Sequence, residues 1–309
     1  MYSGLSLWQR IKLGLLKRMT FLPPHIYLPY YYQYYTGKVY DDDNPKEFNE
    51  KIQWLKLHYH NPLLNQLIDK YAVRAYVAER IGEQYLNDVI AVYDHPSQVD
   101  FDQLPDSFVL KGVHGYGYNL IVPDKSQLNR CRARRLLWKW YRRNPYKRGM
   151  QWGYKDIPPR FVAERYLSEL NQSSIIDYKI NCFGGVPHFL EIHVERSNKQ
   201  RHKCGYFDLN LQPMPFRDVP EKTLLTHAEK PANFELMIEL AHRLSEGLPF
   251  VRVDFYNLEG RIIFGEMTFY PAGGTLDYIP DKYNRIIGDL IPLPSPIGVC
   301  RAKCHSQHI

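Results

Sequence analysis

The chain has 309 residues, of which 44% are hydrophobic and 24% are charged, a composition that excludes a wholly disordered protein. Its formal net charge of +7 favours anionic partners such as nucleotides, acidic sugars, anionic lipids or nucleic acid. The five cysteines are odd in number and scattered, so they do not resemble a disulfide framework and indicate a reducing compartment. The sequence contains no run of about 20 apolar residues, so no transmembrane helix is expected. A cytoplasmic protein is therefore expected.

The chain begins with a basic, aromatic segment. Leu5–Met19 would place its apolar residues on one broad helical face, which can lie on an anionic membrane or dock onto the protein's own body. Because Arg10 and Lys12 interrupt the apolar residues, the segment is not a convincing signal peptide. The tyrosine-rich stretch Tyr27–Tyr40 is expected to be an irregular connector that packs through its rings, and stacking on sugars is the alternative.

Two helix starts come next, followed by many strands. Asn44 is predicted to cap a helix with Pro45 at its first position and Glu47 in a capping box, and Asp69 to cap a second helix. From Val89 onward, strand-like segments dominate and are separated by short turns, which favours an α+β protein with antiparallel sheets. The strand-like segments are VIAVY, SFVLKGV, NLIV, RFVAERYL, IIDYKINCF, VPHFLEIHV, CGYFDLN, FVRVDFY and RIIFGEMTF.

The last two of these strands form the most informative feature, a predicted hairpin. A three-residue loop, Leu258-Glu259-Gly260, would place Arg252 opposite Glu266, and Arg252, Asp254, Glu266 and Thr268 would then share one face. A four-residue loop would turn Glu266 away. Two carboxylates and a hydroxyl suit Mg²⁺, and an arginine beside them can neutralise developing charge, although a surface salt-bridge ladder would look the same. As exposed groups, both carboxylates would add little stability.

A second feature is a lysine at the end of a buried strand. Lys111 precedes a glycine-containing loop, Gly112–Asn119, whose backbone N–H groups can cradle phosphates while the lysine binds them as a point charge. An ordinary hairpin turn is the default explanation. The glycine spacing fits neither a P-loop nor a dinucleotide-binding fingerprint.

Taken in order, these segments resemble an ATP-grasp protein, and most closely the TupA-like branch. The phrases that carry the likeness are NPKEFNEKIQWLKL, DKYAVRAYV, FVLKGVHGYGYN, VAERYL, DYKINCFGG and PFVRVDFYNLEGRIIFGEMTFYP. The resemblance implies two antiparallel-sheet lobes that sandwich a nucleotide, with an N-terminal helical extension. The expected divisions are the basic extension 1–60, a helical and strand region 61–104, a small lobe 105–163, a large lobe with the metal site 164–295, and a tail 296–309.

The resemblance also implies roles for individual residues. The implied nucleotide-binding residues are Lys70, Lys111, Gly115, Tyr116, Gly117, Glu164, Arg165, Tyr166, Leu167, Asp177 and Lys179. The implied Mg²⁺ ligands are Asp254, Glu266 and Thr268, the last of which stands where the family usually has Asn, and Arg252 and Lys111 are the catalytic candidates. Separately, Arg196, Arg201 and Lys203 lie on a polar stretch that could bind an acidic substrate or be a solvated basic loop.

The implied function is that of an ATP-dependent carboxylate–amine ligase that acts through an acyl phosphate, with ATP and Mg²⁺. It would attach an amino acid to an acidic sugar in capsule, cell-wall or exopolysaccharide synthesis. No nucleic-acid partner is expected, and the N-terminal helix could contact the inner membrane face.

Two alternatives stay open. Asp41-Asp42-Asp43 contains an Asp-x-Asp pattern that some glycosyltransferases use, although a solvated loop is the preferred interpretation. A non-catalytic binder of anionic polysaccharide or membrane is the second. Four residues of the tail could bind a metal, but incidental thiols at a frayed terminus are preferred; these are Cys300, Cys304, His305 and His308.

Overall fold

The structure is a computed structural model that describes residues 6–16, 18–147, 149–167, 176–194, 202–258 and 260–294. The helices in these ranges are α1 (Leu7–Leu16), α2 (Pro24–Thr36), α3 (Phe48–His58), α4 (Leu63–Ile68), α5 (Val73–Arg80), α6 (Arg130–Tyr141), α7 (Phe234–Ser245) and α8 (Lys282–Asp289). The strands are β1 (Val89–Tyr93), β2 (Phe108–Gly112), β3 (Asn119–Val122), β4 (Phe161–Arg165), β5 (Ile176–Phe183), β6 (Val186–Val194), β7 (Lys203–Asp208), β8 (Phe250–Leu258) and β9 (Arg261–Thr268).

The described strands form two antiparallel sheets, as the sequence predicts. The smaller sheet has the order β1-β4-β2-β3, and the larger has the order β7-β6-β5-β8-β9. Strand β1 lies in the stretch 61–104 that the sequence set apart from the small lobe, yet it pairs with β4. The division of the chain into lobes at the expected residues stays a prediction.

The larger sheet has one apolar face and one polar face because side chains alternate along each strand. Val251, Val253 and Phe255 of β8 are fully buried, as expected, and they belong to the same core as Leu240 and Leu244 of helix α7. Helix α6 covers the smaller sheet in the same way. With its apolar side covered, the larger sheet presents charged side chains on the opposite face.

The tyrosine-rich stretch is helical, so the expectation of an irregular connector is wrong. Helix α2 has Pro24 at its first position, where a missing N–H costs nothing, and it ends at Gly37 in the left-handed conformation (φ 76°). Tyr27 and Tyr32 are buried, so part of the aromatic surface does pack. The helical period leaves the remaining tyrosines on defined faces.

The helix predicted to start after Asn44 begins three residues later. Its cap is Glu47, whose side chain accepts a hydrogen bond from the backbone of Glu50, while Glu50 Oε2 accepts one from Glu47 N at 2.9 Å. The reciprocal hydrogen bonds of Glu47 and Glu50 satisfy backbone N–H groups at this later position, which sets the start of the helix at Phe48. Phe48 and Ile52 face the core. The prediction about Asp69 is better met, because Asp69 Oδ1 accepts hydrogen bonds from the backbone just before α5.

The β8–β9 hairpin has a shorter loop than expected. Leu258 pairs with Arg261, which leaves two loop residues instead of three. Two loop residues in a regular ladder would turn Glu266 away from Asp254. However, Gly265 is an extra residue in β9, so Phe255 faces Phe264 while Asp254 faces Glu266. The bulge thus restores the shared polar face by a route that the sequence reasoning did not foresee.

None of the helices in the described ranges has the length and apolarity needed to span a bilayer.

Candidate functional site

A cavity of about 790 Å³ brings together distant parts of the chain. Lys70 reaches it from the turn before α5, and Tyr116 reaches it from the β2–β3 loop. Arg252 of β8 and Glu266 and Thr268 of β9 lie on its wall. Part of the wall comes from the N-terminal extension, the segment between α6 and β4, and the segment after β9, namely Arg18, Thr20, Tyr27, Tyr31, Tyr35, Gln151, Tyr154 and 269–273.

A row of ionisable residues crosses the polar face of the larger sheet beside this cavity. Glu191 of β6 faces Lys179 of β5, Lys179 faces Asp254 of β8, and Asp254 faces Glu266 of β9. Directly opposed residues of antiparallel strands have neighbouring side chains on one face. Three acidic groups and one lysine therefore lie side by side across four strands, with Glu266 nearest to solvent.

Asp254 is the centre of this row, and it is buried rather than exposed. Arg252 donates two hydrogen bonds to it, from Nε to Oδ1 at 2.8 Å and from Nη2 to Oδ2 at 2.9 Å, and Lys179 Nζ also donates to Oδ2. Burial alone would raise the pKa of Asp254, but Arg252 and Lys179 outweigh it and lower that pKa. The expectation that this carboxylate is exposed is wrong, and removing its charge would take the nearest acceptor from two buried cations.

Lys179 and Asp177 extend the same network along β5. Asp177 Oδ2 lies 3.1 Å from Lys179 Nζ, and both residues are buried. Burial favours the neutral amine of Lys179, yet the carboxylates of Asp254 and Asp177 together raise its pKa. Lys179 is therefore held as a cation at the centre of the sheet.

Lys70 connects the first half of the chain to this site. Its Nζ donates hydrogen bonds to the carbonyl oxygen of Gly115 in the β2–β3 loop and, at 3.4 Å, to that of Gly112 at the end of β2. Burial lowers the pKa of Lys70, Glu266 partly offsets this effect, and the nearby charge of Lys111 lowers the pKa further. An anion in the cavity would relieve the repulsion between the two ammonium groups.

Lys111 is held on the smaller sheet by an ion pair. Its Nζ lies 2.7 Å from Glu164 Oε2, and Glu164 is buried. The three residues that follow Glu164 lead out of β4: Arg165 is exposed, Tyr166 is half-buried, and Leu167 packs in a small apolar cluster. The predicted hinge therefore lies at the end of a strand, next to Lys111.

The glycine-containing loop is anchored at its base and open at its tip. Tyr118 stacks on Trp140 with ring centroids 5.2 Å apart, and His114 Nε2 lies 2.9 Å from Trp140 O. Gly117 has φ +69°, which favours glycine, whereas Tyr116 is exposed beside the cavity. The loop thus holds Tyr116 at the cavity wall.

Apart from the glycine-containing loop and the residues that follow Glu164, the predicted site residues fall into three groups. Lys70, Tyr116, Arg252, Glu266 and Thr268 line the cavity. The second group lies behind them in ion pairs and comprises Lys111, Glu164, Asp177, Lys179 and Asp254. Lys203 is exposed at the start of β7, and Arg196 and Arg201 lie outside the described residues. Gly115 and Gly117 belong to the loop, and the roles of all these residues stay predictions.

The sequence reasoning missed a cluster on β6 and β7. Glu191 and His193 share a face of β6, and His193 faces Cys204 of β7. His193 and Arg252 overcome the effect of burial and lower the pKa of Glu191 to about 2, whereas burial and Glu191 raise the pKa of Asp218 to about 6. The spacing of Glu191 and His193 was a visible signal, but only the β6–β7 register brings in Cys204.

The Asp-x-Asp pattern forms local structure on the surface, as the solvated-loop interpretation expected. Asp41 Oδ1 accepts hydrogen bonds from the backbone N–H groups of Asp43 and Asn44, each at 3.1 Å. Asp42 Oδ1 lies 2.7 Å from His58 Nε2. These contacts account for two of the three carboxylates.

Comparisons with known proteins give the family. A family model described as TupA-like ATPgrasp matches residues 50–292. Among solved structures, the chain is similar to the D-alanine–D-alanine ligase of Bacillus anthracis, with 15% identity, a TM-score of 0.41, and coverage of 80% of this chain and 69% of that chain. It is also similar to the D-alanine–D-alanine ligase of Helicobacter pylori, with 13% identity, a TM-score of 0.44, and coverage of 82% of this chain and 68% of that chain. A third similar structure is D-cycloserine synthetase DcsG, with 12% identity, a TM-score of 0.40, and coverage of 75% of this chain and 72% of that chain. No curated protein sequence matches the chain. Because the family model covers most of its length, the predicted ATP-grasp fold is confirmed, and the chain belongs to the TupA-like ATP-grasp family.

Proposed function

We propose that this ATP-grasp ligase joins a carboxylate to an amine through an acyl phosphate formed with ATP. The observation that carries the proposal is the convergence of Lys70, from the first half of the chain, with Arg252 and Glu266 on one cavity. Cationic side chains from both sheets would bind the triphosphate, with Lys111 beside Lys70. Phosphoryl transfer depends mainly on positioning and on charge neutralisation, which these groups supply.

The donor set on β8 and β9 fits a magnesium ion. Asp254 and Glu266 are cross-strand partners, and the hydroxyl of Thr268 is near Arg252, whose Nη2 lies 3.3 Å from Thr268 Oγ1. Mg²⁺ prefers oxygen ligands of this kind and is usually bound through one or two carboxylates. Asp254 and Glu266 would hold the ion, which when bound neutralises charge on the phosphates, while Arg252 stabilises negative charge on the reacting carboxyl group.

We further propose that the carboxylate belongs to an acidic saccharide. Tyr27, Tyr31 and Tyr35 are spaced four residues apart on α2, so they form one row along the cavity wall. The ring centroids of Tyr27 and Tyr31 lie 5.8 Å apart, and those of Tyr31 and Tyr35 lie 4.8 Å apart. Aromatic faces offer large amphipathic contact surfaces, which suits the apolar faces of sugar rings, and Arg18 on the same wall suits a carboxylate. Work in capsule, cell-wall or exopolysaccharide synthesis would follow.

Product analysis tests the reaction. Release of ADP and phosphate that requires both an amino acid and an acidic sugar supports ligation, whereas UDP release from a nucleotide sugar would support glycosyl transfer. Binding of the polymer without any nucleotide effect would support a non-catalytic role. Glu266→Gln should abolish ADP release, and Glu229→Gln, an exposed carboxylate outside the cavity wall, should not.

Kinetics test the saccharide assignment. Tyr31→Ala and Tyr35→Ala should raise the KM for the sugar while the KM for ATP stays unchanged. Tyr30→Ala, on another face of α2, is the matched control. An equal rise in KM for ATP would mean that the tyrosine row does not contact the sugar.

We also propose that α1 contacts the inner face of the membrane. Leu13 is buried, but Leu7, Trp8, Ile11 and Leu15 are exposed by 72%, 79%, 47% and 60%, and basic residues are interspersed among them. An apolar face with basic flanks binds anionic lipid surfaces. Trp8 fluorescence should shift to the blue with anionic vesicles, and changing Leu7, Ile11 and Leu15 to Ser, with Trp8 kept, should remove the shift. No shift in the native protein would refute the contact.

A further inference from the structure

Three side chains on the polar face of the larger sheet form a cluster that the proposed ligase mechanism does not use. Glu191 and His193 lie two residues apart on β6, and Cys204 on β7 is the cross-strand neighbour of His193. Cys204 is almost fully buried, and the side chains of Glu191 and His193 are each only 12% exposed. The sheet register therefore assembles a carboxylate, an imidazole and a thiol in a protected position.

The ligand atoms of these side chains have spacings close to those of a metal site. Cys204 Sγ lies 3.5 Å from Glu191 Oε1 and 3.7 Å from His193 Nε2, and His193 Nε2 lies 2.5 Å from Glu191 Oε1. Zinc bonds of 2.0–2.3 Å in a tetrahedron place neighbouring ligand atoms about 3.3–3.7 Å apart. The two sulfur distances already match, and the third would need to widen by less than about 1 Å.

A second histidine holds the imidazole in the orientation that such a site needs. His193 Nδ1 lies 2.8 Å from His202 Nε2, and the two rings are stacked with an interplanar angle of 6°. A metal-binding histidine usually donates its other ring N–H to a supporting group, which fixes the tautomer. In the metal-bound form His193 Nδ1 would donate to His202, and Nε2, which is paired with Glu191 Oε1 here, would lose its proton and become the ligand.

The surroundings also favour a cation. Asp218 interacts electrostatically with both Glu191 and His193, and its Oδ1 is buried without a hydrogen-bond partner among the described residues. On the other side, Arg252 Nη1 lies 3.6 Å from Glu191 Oε2, so Glu191 connects the cluster to the proposed reaction site. A carboxylate oxygen left unsatisfied beside a thiol and an imidazole is what a missing cation would explain.

We propose that Glu191, His193 and Cys204 bind a zinc ion, supported by His202. Sulfur and imidazole donors select zinc over Mg²⁺ or Ca²⁺, which prefer oxygen. Cys204 would bind as the thiolate, so its proton is released on binding. Three protein ligands leave a fourth position for water or another small donor, as in zinc sites that act on bound molecules. This site is distinct from the Asp254 and Glu266 pair, and the inference does not depend on the ligase reaction.

Metal titration of the full chain tests the proposal. Chelator-treated protein is titrated with Co²⁺, followed by its thiolate-to-metal absorption, and zinc content is then measured by mass spectrometry. All proteins carry Cys300→Ser and Cys304→Ser, because the tail thiols could bind metal themselves. We expect about one ion per chain, and loss of the thiolate absorption in Cys204→Ser but not in Cys131→Ser, whose cysteine is exposed elsewhere.

Two more variants keep the test decisive if Cys204→Ser folds poorly. His193→Gln should remove most of the binding, and His202→Ala should weaken it by about 10- to 100-fold, the usual effect of losing a supporting group. Circular dichroism of the metal-free variants checks folding. The proposal is overturned if the tail-substituted protein binds no stoichiometric Co²⁺ or zinc, or if folded His193→Gln binds as tightly as the parent.

Discussion

The two carboxylates of the β8–β9 hairpin should differ sharply in their effect on stability, although both should be needed for activity. Asp254→Asn removes a buried negative charge that Arg252 and Lys179 share. Glu266→Gln changes an exposed side chain at the cavity wall. Burial in the network is therefore the variable that separates the two substitutions.

The magnitude follows from the contacts of Asp254. Removing one partner of a buried ion pair typically costs about 3–5 kcal/mol, and Asn keeps one acceptor for Arg252, so we expect about 3 kcal/mol. Unfolding entropy of about 2.1 cal/mol/K per residue over 309 residues gives about 0.65 kcal/mol/K, so Tm should fall by about 5 °C. Glu266→Gln should change the free energy of unfolding by less than about 0.5 kcal/mol.

Thermal unfolding without nucleotide measures both variants, and ADP release measures their activity. A third protein, with Asp254→Asn and Lys179→Met together, should be more stable than the sum of the single effects predicts, since the buried ammonium that Asp254→Asn leaves with Asp177 alone is then absent. Equal Tm values for Asp254→Asn and Glu266→Gln would refute the reasoning, and so would strict additivity in the double variant.

Three further changes are predicted. Burial lowers the pKa of Lys56 to about 7. Between about pH 7 and the usual pKa of lysine, the unfolded chain therefore binds more protons than the native protein. The free energy of unfolding should rise with pH across that window by up to about 5 kcal/mol. Lys56→Met should flatten this rise in urea titrations at pH 7 and pH 9. Lys111→Ala should weaken ATP binding by at least about tenfold in calorimetry because a charged contact is lost, whereas exposed Lys203→Ala should change it by less than about twofold. Gly115→Ala should destabilise the protein by about 1–3 kcal/mol and weaken ATP binding, because its Cβ would lie 2.4 Å from Tyr118 Cε2.

For each of these three predictions, one result would contradict the reasoning. A wild-type pH profile in Lys56→Met would mean that another group causes the rise. Equal effects of Lys111→Ala and Lys203→Ala would remove Lys111 from the nucleotide site. For Gly115, the matched control is Gly14→Ala, whose Cβ would make only an ordinary contact with Tyr34 at 3.5 Å. If both glycine variants behave alike, the loop tolerates movement of the Tyr118 ring.

The sequence by itself determined the positions of the described strands and the core-facing side of β8. Alternation along FVRVDFY predicted which residues of β8 face the core, and Val251 and Val253 are indeed buried. Asp69 was identified as a cap, and the described strands lie where strand-like segments were seen. These features depend on dihedral preferences and on a period of two or 3.6 residues, which neighbours along the chain are sufficient to set.

Only the tertiary structure decided how those strands meet. The bulge at Gly265 fixes Asp254 opposite Glu266, and the same register buries Asp254 under two cations. Likewise, Cys204 meets His193 only through pairing of β6 with β7, and α2 meets the cavity only through packing of the N-terminal extension. Register and burial depend on hydrogen bonds and contacts between residues far apart in the chain, so one extra residue in a strand changes which side chains meet while the local pattern stays the same.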